Sequence, residues 1–327
     1  MTGKFPNVRL RRLRENPKLR DLLGETTLHL KELVQPLFVK EGIPQPIEIE
    51  SMPGQFQFSE NALIREAQVL QDLGISSVIL FGIPSKKDLS GKSAFAKKGV
   101  IQKAVENIKK KCPKLLVITD VCLCEYLTHG HCGHLDGGRV INDASLKTLA
   151  RVALSHAEAG ADVVAPSDMM DGRVSAIRDC LDKKRFKNIP ILSYAVKYAS
   201  SLYAPFRQAA ESAPAVGDRS SYQMNPANKK EALREVQTDL EEGADMLLVK
   251  PALGTQDILY QIKERFCCPV GCFSVSGEYA MIKAAARNHW IDQKKVVLET
   301  HLSMKRAGAS FIMTYWAKQV AQWRLLK

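Results

Sequence analysis

Three cysteines that stand close together are the residues of this sequence best suited to chemistry. Cys122, Cys124 and Cys132 lie in the stretch from Thr119 to Gly133. The first two end an apolar run, and on a strand they would share a face with Asp120, because side chains alternate with a period of two. Three thiolates suit a soft tetrahedral cation, and three protein ligands keep a fourth position for water or substrate. The pattern predicts a catalytic zinc centre.

Other interpretations of the cysteines stay open. Free cysteines are often small buried hydrophobic residues without a ligand. A disulfide fits less well, because no secretory signal precedes the stretch and its spacing is not that of a small secreted scaffold. His129 and His131 stand just before Cys132. These histidines could join the metal shell, orient a bound water or cap the loop.

Two lysines end apolar runs elsewhere in the chain. Lys197 follows Ser193-Tyr-Ala-Val, and Lys250 follows Leu247-Leu-Val. Burying an ammonium group is costly unless the group is paired or loses its proton. A second cation nearby lowers the pKa further, and a neutral amine can attack a ketone to form a Schiff base. The alternative is a pair of structural lysines in ion pairs with Asp120 or Asp168, but the occurrence of two such lysines favours chemistry.

The connection after Lys197 shows no clear helical pattern until Asn228. So long a connection is unusual in a compact domain, and we expect a lid over about residues 199–228. Its guanidinium and amide groups would suit a substrate carboxylate. A flexible surface loop with scattered charge is the alternative. The lid residues of interest are Tyr203, Phe206, Arg207, Arg219 and Gln223.

Eight short apolar runs indicate strands that are buried on both faces, as in a parallel sheet. Hydroxyl groups of Ser276 and Tyr315, near the ends of the last two runs, could bind a second carboxylate. Ser167 stands near the end of the fourth run. The runs are Val34–Val39, Ser76–Gly82, Leu115–Cys122, Ala161–Ser167, Pro190–Lys197, Met246–Ala252, Pro269–Ser276 and Ser310–Ala317.

Amphipathic segments alternate with these strands, and glycines follow four of them at the position of a left-handed C-terminal cap. Such alternation predicts a (β/α)8 barrel with its active site at the carboxyl ends of the strands. An open doubly wound sheet competes with it, but no Gly-x-Gly-x-x-Gly follows a strand. The predicted helices include Asn61–Leu73, Ile101–Lys111, Ala144–Ala159, Lys229–Glu242, Gln256–Phe266 and Lys294–Ala307, and the glycines are Gly74, Gly160, Gly243 and Gly308.

The composition predicts a protein of the cytoplasm. The chain has 327 residues, of which 45% are hydrophobic, and it contains no apolar run long enough to span a membrane and no recognisable targeting signal. The net charge is +12, with a basic excess in residues 1–33, which we expect to form an arm outside a catalytic domain of residues 34–327. The arm could bind nucleic acid or lie on a neighbouring subunit; the absence of a recognition-helix pattern favours the subunit.

Several motifs together closely resemble the porphobilinogen synthase family, also called 5-aminolevulinate dehydratases. The resemblance spans essentially the whole chain. The motifs are Asp120-Val-Cys-Leu-Cys, Ala165-Pro-Ser-Asp-Met-Met-Asp-Gly-Arg173, Pro205-Phe-Arg, Gly217-Asp-Arg-Ser-Ser-Tyr-Gln-Met, Val249-Lys-Pro and Val275-Ser-Gly-Glu-Tyr-Ala-Met281.

The resemblance implies that two molecules of 5-aminolevulinate are condensed to porphobilinogen with loss of two waters. It implies Schiff bases on Lys250 and Lys197. It also implies a catalytic zinc of the three-cysteine type, one substrate carboxylate bound by three lid side chains, and the other bound by two hydroxyls. The zinc ligands would be Cys122, Cys124 and Cys132, the lid side chains Arg207, Arg219 and Gln223, and the hydroxyls those of Ser276 and Tyr315.

The family also implies a homo-octamer held by its arms and, in many bacterial members, an allosteric magnesium at a glutamate that corresponds to Glu235. Glu231, Glu235 and Asp239 would form a carboxylate stripe on one helix face, and a solvated face without metal is the alternative. Ala204 and Leu127 depart from the usual pattern beside the site.

Two alternative functions stay open. A Schiff-base aldolase would need only one lysine at a strand end, and a zinc-containing nucleic-acid-binding protein would need neither Lys197 nor Lys250.

Overall fold

Eight parallel strands form a nearly closed barrel in the computed structural model, which describes residues 4–324. Strands β1 to β4 pair in sequence order, strands β5 to β8 do the same, and β1 also pairs with β8. A bridge between Val164 and Ile191 joins β4 to the start of β5. The predicted (β/α)8 barrel is therefore confirmed. The strands are β1 Leu33–Lys40, β2 Ser77–Ile83, β3 Leu116–Val121, β4 Val163–Pro166, β5 Leu192–Lys197, β6 Met246–Lys250, β7 Val270–Ser274 and β8 Ile312–Thr314.

Helices follow every strand and cover the outside of the barrel. Each of the six helices predicted from periodicity is present, with small shifts of its ends. The helices are α1 Arg12–Glu15, α2 Pro17–Leu22, α3 Glu60–Asp72, α4 Val100–Lys111, α5 Asn142–Glu158, α6 Arg173–Lys183, α7 Ala204–Ala209, α8 Lys230–Glu241, α9 Gln256–Arg265, α10 Ser276–Arg287, α11 Gln293–Arg306 and α12 Ala317–Trp323.

Burial on both faces explains why the strands are apolar without alternation. Every residue of β5 is buried, and so is β1 up to Val39. Helices pack on the outer face and the remaining strands close the inner face, so most positions on both faces are apolar. The buried polar exceptions include Gln35 of β1 and Ser193 and Lys197 of β5. The four predicted capping glycines all adopt positive φ; for Gly160 the angle is 98°, which a side chain would strain.

The last two predicted strands were too long. Strand β7 ends at Ser274, so Ser276 is the first residue of α10. Strand β8 ends at Thr314, and α12 already begins at Ala317. Apolar residues continue past both strand ends because the first turns of these helices are themselves buried. An apolar run therefore does not show where a buried strand becomes a buried helix.

The segment predicted to lack a helix contains two short ones. A 3-10 turn spans Ser201–Tyr203, and α7 follows at once. Pro205 lies in the first turn of α7, where a missing amide hydrogen breaks no helical bond. A proline that reads as a helix breaker in the sequence is here part of a helix start.

The N-terminal segment contacts little of the barrel. Neither α1 nor α2 buries a residue, and Phe5, Leu10 and Leu22 are largely exposed. The chain joins the core at Leu28, which is buried, just before β1. Among residues 4–324, none of the helices combines the length and the apolar character needed to cross a lipid bilayer.

Candidate active site

Lys197 and Lys250 lie side by side at the carboxyl ends of β5 and β6. The two residues are register partners in the parallel ladder, and both are buried. The Lys197 amine donates a hydrogen bond to the carbonyl of Ser167. Neither lysine forms an ion pair with a carboxylate among residues 4–324. The alternative of two lysines held in salt bridges is therefore not what the structure shows.

Aromatic rings surround the Lys250 amine. Its Nζ lies 4.5 Å from the ring centre of Phe273, 4.9 Å from that of Phe206, 5.0 Å from that of Tyr203 and 5.5 Å from that of Tyr194. Burial, and then the charge of Lys197, lower the pKa of Lys250 to about 7. A substantial share of this amine is therefore neutral near neutral pH, as a nucleophile requires.

Carboxyl groups near the lysines are held away from their ordinary charge state. Burial and the neighbouring Glu125 raise the pKa of Asp120, against the opposing effect of Lys197 and Lys250. Burial also raises the pKa of Glu125. The protonation of the Asp120 carboxyl and that of the Lys250 amine therefore depend on one another.

The three predicted cysteine ligands converge. Their sulfur atoms lie within 4.8 Å of one another, and those of Cys122 and Cys124 are 3.3 Å apart. The expected alternation along a strand is not the cause: β3 ends at Val121, so a turn brings Cys122 and Cys124 together. Hydrogen bonds from these two thiols lower the pKa of Cys132, whereas burial raises the pKa of Cys122.

The histidines of this stretch connect it to the segment after β5. The ring nitrogens of His131 lie 3.0 Å from the Tyr222 hydroxyl and 2.8 Å from the Val216 carbonyl. His129 Nδ1 accepts a hydrogen bond from the amide of His131. Both ring nitrogens of His131 are thus occupied by the 216–222 segment, which favours the loop-capping role among the three roles considered.

Unpaired polar atoms of the 199–228 segment are buried over the site. Within residues 4–324, no hydrogen-bond partner is found for Arg207 Nε, Arg219 Nε, either end of the Gln223 amide or the Tyr203 hydroxyl. Arg219 also donates to the carbonyls of Gly130 and Ser212. Buried polar groups are normally paired, so this set marks a place for a polar ligand.

The two predicted hydroxyls occupy different settings. Ser276 Oγ accepts from the amide of Phe206 at 2.9 Å and donates to the carbonyl of Leu202. Tyr315 is buried between Phe38 and Phe273, and its hydroxyl has no partner among the described residues. Tyr315 therefore offers a free donor, whereas Ser276 is already bonded to the backbone near α7.

Comparison with known proteins decides the family. Residues 7–323 match the family described as delta-aminolevulinic acid dehydratase. A delta-aminolevulinic acid dehydratase from Synechocystis sp. is 54% identical over 323 residues, covering 98% of this chain and 99% of that protein. The chain belongs to the delta-aminolevulinic acid dehydratase family. The Bacillus subtilis member is 52% identical, covering 96% of this chain and 97% of that protein.

A solved structure agrees with this assignment. The delta-aminolevulinic acid dehydratase (porphobilinogen synthase) from Toxoplasma gondii ME49, in complex with the reaction product porphobilinogen, superimposes with a TM-score of 0.95. It is 42% identical, and the match covers 97% of this chain and 91% of that chain. The predicted activity, that of a hydro-lyase in tetrapyrrole biosynthesis, is confirmed, and the aldolase and nucleic-acid-binding alternatives fall away. The family is metal-dependent, and the cysteine cluster is a possible metal site.

The predicted magnesium residue, Glu235, lies outside the lysine site. The expected carboxylate stripe is not a uniformly solvated face, because Asp239 is buried in an ion pair with Arg173 at 3.0 Å. Glu231 accepts a hydrogen bond from Asn228. Burial raises the pKa of Glu235 to about 6 although the charge of Arg173 opposes this. Glu235 lines a cavity of about 820 Å³.

Sequence reasoning missed four residues beside the site. Tyr194 and Phe273 contact the Lys250 amine, Glu125 adjoins Asp120, and Glu278 lies beneath the turn after Lys250. The aromatic pair sits inside apolar strands, where an aromatic residue is ordinary. The two glutamates could have been identified from the sequence. A glutamate next to a buried strand end is rarely buried unless it has a structural partner or a functional role.

We predict that the nucleophilicity of Lys250 titrates near neutral pH because of its burial and of the charge of Lys197. Carbamoylation by cyanate requires the neutral amine, so the rate at Lys250 should reach half of its maximum near pH 7 and fall about tenfold per unit below it. Replacing Lys197 by Met removes a like charge and should shift the midpoint upward. Peptide mass spectrometry measures both rates.

Lys197→Arg keeps the charge and serves as the matched control, whose midpoint should stay low. A wild-type midpoint near the ordinary lysine value would contradict the prediction. So would equal midpoints in Lys197→Met and Lys197→Arg.

Proposed function

We propose that this chain condenses two molecules of 5-aminolevulinate to porphobilinogen through imines on Lys250 and Lys197. The observation that carries the proposal is the pairing of two buried lysines at adjacent strand ends, with no carboxylate ion-paired to either among residues 4–324. A single-imine reaction needs one such amine. Two of them match a reaction that joins two identical ketones.

The lysines supply the covalent steps. The neutral Lys250 amine attacks the ketone carbon, and the C–N bond forms as the carbonyl oxygen takes up a proton. Loss of that oxygen as water leaves an imine, and the same sequence at Lys197 binds the second molecule. The surrounding aromatic rings exclude bulk water, which favours the imine over its hydrolysis. Two waters are lost per porphobilinogen.

Carboxylate recognition falls to the segment after β5 and to the last strands. Arg207, Arg219 and Gln223 have buried donors without partners, and we assign them to the carboxylate of one substrate. A guanidinium matches a carboxylate in geometry as well as in charge. For the other carboxylate we assign the free Tyr315 hydroxyl together with Ser276.

The remaining predicted residues prepare the two amines. The Ser167 carbonyl fixes the Lys197 amine, and the Tyr203 and Phe206 rings pack around Lys250. Asp120 lies close enough to both lysines to be influenced by their charge. We assign these side chains to supporting roles, in which they orient the amines and keep water out.

A zinc ion fits the cysteine cluster. Tetrahedral Zn–S bonds of about 2.3 Å place sulfur atoms about 3.8 Å apart, which is within the range found for Cys122, Cys124 and Cys132. The arrangement provides three thiolate ligands and leaves the fourth position to substrate or water. When bound there, zinc supplies a Lewis acid that polarises a substrate oxygen or amine.

The decisive test of the proposal is covalent trapping. Borohydride with isotopically labelled 5-aminolevulinate should attach label to Lys250, and Lys250→Met should abolish both labelling of that peptide and turnover while leaving far-UV circular dichroism unchanged. Lys283→Met, which changes a lysine away from the paired strand ends, is the control and should keep full activity. Label confined to Lys197, or no label at all, would reject the role of Lys250.

We predict that zinc serves catalysis and not folding, because the barrel core is large and the cluster offers only three protein ligands. A chelator under reducing conditions should remove activity that added zinc restores, with little change in circular dichroism. The Cys122→Ala, Cys124→Ala variant should be inactive, and Cys267→Ala, at an exposed cysteine, should be active. Unfolding on chelation would contradict the prediction.

We propose that magnesium activates the enzyme through Glu235. A half-buried carboxylate with a raised pKa gains from a cation, and magnesium commonly binds one carboxylate while keeping its waters, for which the cavity has room. Magnesium should stimulate the zinc-loaded wild type, with less effect as the pH falls through about 6. Glu235→Gln should lose the stimulation, and Glu241→Gln on the same helix should keep it. Equal stimulation of the wild type and of both variants would reject the proposed magnesium site at Glu235.

We propose a homo-octamer, located in the cytoplasm, in which the arm of residues 1–33 packs on another subunit. The exposed side chains of Leu10, Leu13, Leu22 and Leu23 support this, since the described part of the chain leaves them uncovered. Serine at Leu10, Leu13, Leu22 and Leu23 should therefore lower the mass seen by light scattering. A second variant with serine at Arg11, Arg12 and Arg14 removes charge but keeps the leucines, so its mass shows whether charge alone holds the arm contact. An unchanged mass in the leucine variant would reject the arm contact.

A further inference from the structure

Glu278 is a buried carboxylate joined to the turn that follows Lys250. One of its oxygens accepts hydrogen bonds from the amide of Ala252 at 2.9 Å and from that of Leu253 at 3.0 Å. The side chain is fully buried, and burial raises the pKa of Glu278 to about 7 although the hydrogen bonds that it accepts oppose this. Burying a carboxylate is costly, so the position calls for an explanation beyond packing.

The turn after Lys250 depends on this carboxylate because of Pro251. Proline has no amide hydrogen, so the ladder of β6 cannot continue directly beyond Lys250. The amides of Ala252, which is buried, and of Leu253, which is half-buried, follow in the turn and need an acceptor. The Ala252 amide also donates to the carbonyl of Phe273, whereas the acceptor for the Leu253 amide is the Glu278 side chain. The Glu278 oxygen thus takes the place of a strand carbonyl as the acceptor for the Leu253 amide.

The direction of this turn sets the direction of Lys250. Its amine sits among four aromatic rings at 4.5 to 5.5 Å, so a rotation of the backbone at the strand end moves it against those rings. Displacing a reacting atom by about 1 Å can cost about a hundredfold in rate.

The first turn of α10 also contacts the segment over the site. Ser276 bonds the amide of Phe206, and Gly277 lies so close to Leu202 that an added Cβ would stand 2.6 Å from its carbonyl oxygen. Three consecutive residues thus hold the covering segment on one side and the Lys250 turn on the other. The contacts of Ser276 and Gly277 thus fix the position of the helix turn that carries Glu278.

We propose that Glu278 is a positioning residue that orients Lys250 for imine formation by binding the amides of Ala252 and Leu253. The proposal rests on the proposed role of Lys250. Glu278 touches neither reacting atoms nor the carboxylate-binding side chains, so its loss should lower kcat and leave KM nearly unchanged.

The test compares three substitutions at this position. Glu278→Ala removes the acceptor and should slow borohydride trapping at Lys250, and kcat, by about ten- to a hundredfold. Glu278→Gln keeps an acceptor oxygen and should restore most of the rate. Glu278→Asp is one methylene shorter and should fall between them. Cyanate should still modify Lys250 in each variant, since that reaction is less sensitive to orientation. Glu66→Ala, which breaks an ion pair with Lys318, is the control outside the site.

Each result separates the two proposals. Wild-type rates in Glu278→Ala would overturn the positioning role alone, and so would a Gln variant as slow as the Ala variant or a rise in KM at constant kcat. If Glu278→Ala does not fold, the Asp variant decides: slow trapping in a folded protein supports the role, and a wild-type rate overturns it. Absence of label at Lys250 in the wild type would reject the proposed function and, with it, this inference.

Discussion

The structure depends on holding two lysine amines next to each other in an apolar interior. Like charges this close repel, and each ammonium loses its hydration when it is buried. The pairing of β5 with β6 imposes the arrangement, because Lys197 and Lys250 are register partners. The protein relieves the strain by lowering the pKa of Lys250. The same constraint that makes the burial of two amines costly leaves a share of the Lys250 amine neutral near pH 7.

The surroundings of the lysines follow from this constraint. The rings of Tyr194, Tyr203, Phe206 and Phe273 replace water around Lys250 without supplying a counter-charge. Asp120 and Glu125 lie near, but burial favours the neutral form of each, helped by Glu125 in the case of Asp120 and by Cys132 in the case of Glu125. A fully ionised carboxylate beside Lys250 would have raised the pKa of the amine again.

Hydrogen bonds between the cysteine stretch and the segment after β5 join the three-cysteine cluster to the lysine site. Arg219 binds the carbonyl of Gly130, and His131 binds Tyr222 and the Val216 carbonyl. Burial lowers the pKa of Arg219, but the neighbouring cysteine side chains raise it by more, so the guanidinium stays charged. The position of the covering segment therefore depends on the same loop that carries Cys132.

Sequence alone determined the barrel, the identity of the two lysines and the set of three cysteines. These features are local: apolar runs buried on both faces, glycine caps after helices, and residue types that do not belong at the end of a buried strand. Tertiary structure decided the rest. The strand register that pairs Lys197 with Lys250, the turn that brings Cys122 to Cys124, the helix start at Ser276 and the reach of Glu278 to the Lys250 turn all join residues through space. A one-dimensional pattern does not contain such distances, because they depend on how elements far apart in the chain pack together.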